Sequence, residues 1–120
     1  MVAANEFLGR LTLRNEYEVF ASATNPSQYI VRQRSKSQVF EDRVLKENVR
    51  VLHQYLKGKM VTVNGVLDEI DRGAIPGLKL YCYGYKRRFE VQNILIVLCS
   101  LGLATVEKQG RGFIYRVAIS

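Results

Sequence analysis

YGYKRRFEVQNILIVLCSLGLATVEKQGRGFIYRV, residues 83–117, contains the change of hydrophobic rhythm around which the rest of the chain is arranged. The basic run Lys86-Arg87-Arg88 stands just before Glu90, whose carboxylate suits the positive N-terminal end of a helix. Val91, Ile94, Leu95, Leu98 and Leu101 then recur at steps of three and four, which predicts a core-facing helix over 89–101. Gly102 follows, where a left-handed cap needs no Cβ. LATVEK (103–108) and FIYRVAI (113–119) are rich in β-branched and aromatic residues and flank Gln109-Gly110-Arg111-Gly112, so a hairpin is expected there. The helix is more apolar than one stripe requires, because Ile94, Ile96, Val97 and Cys99 cover more than one face. Surplus apolar surface marks interaction sites, and a homodimer or a protein partner is therefore expected.

Upstream, Phe40, Val44, Leu45, Val49, Leu52, Tyr55 and Leu56 form one stripe and predict a helix over 38–57. Ser37 is the expected cap, with Glu41 and Asp42 in the first turn and Lys57-Gly58 at the end. Residues 59–61 read as a short strand. Thr62 then caps a second helix over 62–71, built on Val63, Val66, Leu67 and Ile70 and closed by Arg72-Gly73. GAIPGLKLYCYGYK (73–86) opens with a Pro76-Gly77 turn. Its LKLYCYGY alternates like a strand, so either a strand is inserted here or the third helix begins earlier. At the N-terminus RLTLR (10–14) and YEVFASA (17–23) suggest a hairpin, with a short helix in 4–13 as the competing reading. Asn25-Pro26-Ser27 is a turn signal, and YIVRQRS (29–35) is a candidate third strand. In a strand Arg32, Arg34 and Lys36 share a face that either tracks phosphates or discourages edge pairing.

Helix, short strand, helix, helix, glycine, strand, glycine-rich tip, strand: over 37–119 this order resembles the winged-helix domains. The expected fold class is α+β, a winged helix of three helices and a C-terminal β-hairpin wing with an N-terminal β-rich extension. The expected division is an arm or small meander at 1–36 and a winged-helix domain at 37–120, with an insertion at 73–86. KRRFEVQNIL (86–95), followed by Leu101-Gly102-Leu103, also resembles the Arg-Arg-x-Tyr-Asp stretch of winged-helix cell-cycle transcription factors. Matched at VQNIL, that family's arginines fall on Lys86 and Arg87, its tyrosine on Phe89 and its aspartate on Glu90. The step to the following Gly-Leu is three residues longer here. In those factors the paired arginines enter the major groove, and the resemblance implies the same for this segment.

The net charge of +7 is unevenly placed. Residues 38–78 cancel, six basic against six acidic, whereas 79–120 carry seven basic side chains against Glu90 and Glu107. A polyanionic partner is the direct implication. Lys79, Tyr83, Tyr85 and Lys86 interleave cations with aromatic rings that either stack on bases or pack on the domain. Arg87 and Arg88 stand at the mouth of the third helix, and Gln92 and Asn93 are among its few polar residues. Lys108 and Arg111 belong to the wing, with Arg111 at its tip. The leading expectation is a nucleic-acid-binding module for duplex DNA, such as a transcription regulator, contacting it through the helix start and the wing. The alternative is a protein-interaction winged-helix subunit of a larger complex. RNA or a single strand is a third possibility, which the tyrosines support.

Cys82 and Cys99 form no Cys-x-x-Cys pair and His53 is the sole histidine, so an ordinary zinc site lacks ligands. His53 reads as a polar or packing residue. A phosphate-binding glycine loop followed by Lys-Ser, a nucleophile elbow and a His/Cys/Asp constellation are all missing, so a non-enzymatic role without cofactor is expected. The start MVAANEFLG lacks the basic and apolar regions of a signal peptide, and the apolar run 94–99 is too short to span a bilayer. An intracellular protein with reduced thiols and no membrane partner is expected.

Overall fold

A computed structural model describes residues 4–119. Four strands come first: β1 (Glu6–Thr12), β2 (Glu16–Ala21), β3 (Gln28–Arg34) and β4 (Val39–Leu45). They form one antiparallel sheet in sequence order. Then follow α1 (Lys46–Leu56), β5 (Met60–Val61), α2 (Val63–Asp71) and α3 (Arg87–Ser100). The hairpin β6 (Ala104–Gln109) and β7 (Gly112–Val117) closes the chain, and β5 adds to it in the order β5-β7-β6. The molecule is thus α+β, with three α-helices and two antiparallel sheets among the described residues. No helix among the described residues is long and apolar enough to cross a membrane.

The N-terminal β-rich expectation holds, and the competing helix in 4–13 gives way to β1. The first helix is shorter than the sequence pattern predicts: residues 39–45 are strand, and α1 begins only at Lys46. Phe40 and Val44, four apart, satisfy both a helical stripe and a period of two. Pairing along the whole strand, from Val39 opposite Arg34 to Leu45 opposite Gln28, decides for β. Ser37 consequently lies in the β3–β4 turn and caps nothing; α1 starts after Leu45 without a side-chain cap. Thr62 does cap α2, its hydroxyl accepting from the Gly65 amide. Gly102 takes the left-handed φ of 76° expected after α3.

The alternating segment 78–85 forms no strand. Its backbone is held by side chains instead. Asn48 of α1 donates to the Lys79 carbonyl and accepts from the Lys79 amide, both at 2.8 Å. Glu90 of α3 accepts from the amides of Tyr81 at 2.9 Å and Cys82 at 2.8 Å. Leu78 and Leu80 turn inward against the core, so the apolar alternation is present without a ladder.

α3 occupies the centre. Val91 and Ile94 through Leu98 are all buried, which is what a helix apolar on every side predicts. One side packs on α1, α2 and the C-terminal hairpin; the other lies under the four-stranded sheet, against the row that contains Tyr17, Val19, Val31 and Val44. Gly9 permits the close approach, because a Cβ there would stand 3.1 Å from the Cβ of Ser100. Ile96 and Val97, expected as surplus surface, are therefore interior residues. The outer face of the sheet carries ion pairs: Arg10 with Glu18 at 3.2 Å and Arg32 with Glu41 at 2.8 Å. Arg10, with help from Arg34, holds the Glu18 carboxyl below the usual range.

Candidate nucleic-acid interface

Between the four-stranded sheet and the C-terminal hairpin, beside the N-terminal half of α3, lies an open cleft of about 480 Å³. Four parts of the chain meet there. The four-stranded sheet brings Arg14 and Asn15 from the β1–β2 turn, Tyr17 from β2 and Gln33 from β3; the start of α2 brings Thr62, Val63 and Asn64. α3 contributes Arg88, Phe89 and Gln92, and the hairpin contributes Gln109, Arg111, Gly112, Phe113 and Tyr115. No carboxylate among the described residues lines it. Arg14, Arg88 and Arg111 form no ion pair among the described residues. Arg14 donates to the Arg111 carbonyl, which ties the β1–β2 turn to the hairpin tip across the cleft. Arg88 Nη1 donates to Asn64 Oδ1 at 3.2 Å.

Two features of the local electrostatics strengthen the positive field. Lys86 and Arg88 sit at the positive end of the α3 dipole, where cations are disfavoured. Such a placement lowers helix stability and suits an anion that arrives from outside. The first turn of α2 likewise faces the cleft and contains no acidic residue. Tyr115 forms part of the cleft wall, and its buried hydroxyl has no hydrogen-bond partner. Burial pushes the ionisation of that phenol upward.

Arg88, Gln92 and Arg111, expected from the sequence, are brought together in the cleft. Lys108 stands opposite Phe113 across the hairpin and so shares its face with a cleft residue. Arg87 is only 30 % exposed; its Nη1 pairs with Asp71 Oδ1 at 2.7 Å, which lowers the Asp71 carboxyl below its ordinary range. Tyr83 and Tyr85 are 88 % and 78 % exposed on the short turn of 3-10 helix, Gly84–Lys86, that leads into α3. Lys86 and Lys79 are exposed nearby in the chain. Asn93 is buried on the side facing β4, where its amide donates to Asp42 Oδ2 at 3.2 Å. Gln92 leans on the Tyr17 hydroxyl at 3.4 Å.

Sequence reasoning missed Arg14, Asn15, Gln33 and Asn64, which only the tertiary fold carries to the site. The unpaired Arg14 in a turn is the one signal among them. His53 packs as expected, its Nε2 3.2 Å from the Ala118 carbonyl. Cys82 and Cys99 are free thiols, and burial pushes Cys99 up to about 11. Comparison with models of protein families, with curated proteins and with solved structures finds no match to this chain.

Proposed function

We propose that this chain is a nucleic-acid-binding module of winged-helix type that grips the phosphate backbone in the arginine-lined cleft. The observation that carries the reading is the convergence of Arg14, Arg88 and Arg111 on one recess whose described lining holds no carboxylate. Guanidinium groups form bidentate bonds to phosphate, and the positive ends of α2 and α3 add to the attraction. The element order supports the winged-helix part. α1, β5, α2, α3 and the hairpin follow one another, and β5 joins the hairpin beside β7. In this reading the hairpin is the wing, with Arg111 at its tip.

The manner of contact differs from an exposed recognition helix. Beyond its first turn α3 is largely enclosed, with the four-stranded sheet on one side and α1, α2 and the hairpin on the other. Phosphate contacts therefore dominate over insertion of α3 into a groove. A protein-interaction role keeps one supporting observation: the edge strand β4 exposes Val39 and Phe40, one on each face of the sheet.

The test is a fluorescence anisotropy titration of labelled oligonucleotides over a range of salt. Each arginine that neutralises a phosphate contributes roughly 0.7–0.9 to the slope of log affinity against log salt. Replacing Arg14, Arg88 and Arg111 together by alanine is expected to flatten the slope by about 2 units or more. A triple variant that binds like the parent at every salt concentration overturns the assignment.

A further inference from the structure

The shape and chemistry of the cleft narrow the class of nucleic acid, granted the reading above. A duplex is read by an element that stands out from the protein and enters a groove. Here Arg88 and Gln92 stand in the wall of a recess, and the helix that holds them is roofed by a sheet. A recess accepts a strand whose bases are free to turn inward.

The lining fits such bases. Asn15, Gln33, Asn64, Gln92 and Gln109 place five side-chain amides around the cleft. An amide offers both a donor and an acceptor, so it meets the edge of any base without demanding one. Phe89 lies at the rim, 55 % exposed, and borders both this cleft and a second recess formed with Tyr81, Asp42 and Asn93. A phenyl ring in the first turn of a central helix, left half open to water next to Arg88, buries only part of its surface on folding. Tyr83 and Tyr85, more exposed still, continue the aromatic series just before the helix.

We infer that the cleft takes a single-stranded nucleic acid, its phosphates on Arg14, Arg88 and Arg111 and a base stacked on Phe89. Alanine in place of a stacking ring weakens single-strand binding by roughly 5- to 150-fold, the equivalent of the usual stacking contribution per base. Because Phe89 is half exposed and outside the buried core cluster, Phe89→Ala leaves the fold intact, which thermal melting checks directly.

The experiment measures the full chain against oligothymidylate and oligouridylate of roughly twelve nucleotides and against a duplex of the same length. The parent is expected to bind at least one single strand more tightly than the duplex. Phe89→Ala should lose affinity for that strand only, Phe89→Tyr should retain it, and Arg88→Ala should weaken binding to every nucleic acid. Duplex binding as tight as single-strand binding, with Phe89→Ala unchanged, overturns the single-strand inference and leaves the nucleic-acid reading standing. Failure to bind any of the three at low salt overturns both.

Discussion

Both carboxylate oxygens of Glu90 are engaged by backbone amides, one from Tyr81 and one from Cys82. Two charge-assisted bonds hold a segment that has no strand neighbour, and Asn48 holds the same segment two residues earlier. Glu90→Ala leaves both amides without a partner at the edge of the core. The expected loss is about 3–6 kcal/mol of stability, two hydrogen bonds to a charged group at roughly 1.5–3 kcal/mol each. Hydrogen exchange at the Tyr81 and Cys82 amides should accelerate in the same variant. Unchanged protection at those two amides would show that the segment is held by its leucines and Asn48 instead. In sequence Glu90 reads as an acid placed for the helix dipole. Its larger task is invisible there, because the amides it serves belong to a stretch whose alternation imitates a strand. The candidate site was legible in the same partial way. Charge and position single out Arg88 and Arg111 within the 83–117 stretch. Arg14 lies 97 residues from its partner Arg111, and no local pattern announces that contact.

At the scale of elements, α3 is the case where the sequence carried a correct signal with two readings. An all-round apolar helix is either exposed to a partner or enclosed by its own chain. The outcome depends on β1–β4, whose inner row is built from Tyr17, Val19, Val31 and Val44. Ile96 separates the two readings experimentally. Enclosed, Ile96→Ala opens a cavity and costs about 2–5 kcal/mol, read as a lower urea midpoint with an unchanged slope. Exposed, the same change would cost almost nothing in stability. The second helix and the C-terminal hairpin were legible, because Thr62, Gly102 and the Gly110 turn are local signals that need no distant partner. The 38–45 segment was not. Three-four spacing over seven residues cannot exclude period two, and the deciding hydrogen bonds come from β3.

On the scale of the whole molecule, a central helix shared by two sheets ties the N-terminal strands to everything that follows. A boundary at 36/37 runs through the turn between β3 and β4, two strands paired along their length. Residues 37–120 alone would keep the three helices and the hairpin, yet β4 would lose β3, its neighbour in the sheet. The side of α3 that carries Gln92 and Ser100 would lose its cover as well. Tyr17, Val19 and Val31 are buried side chains of the removed strands. At roughly 1.5–3 kcal/mol each, their loss removes a large share of the 5–15 kcal/mol that ordinarily separates a folded domain from its unfolded state. The full chain is therefore expected to unfold in one transition, with near-ultraviolet and far-ultraviolet circular dichroism changing together. The 37–120 fragment should show no sharp melt and should bind hydrophobic dyes through the bared side of α3. A fragment that melts cooperatively within a few degrees of the full chain would make residues 37–120 an autonomous domain and β1–β3 an accessory laid on its surface. In that event the cleft would be a junction of two separable parts, and Arg14 would be the contact to remove first.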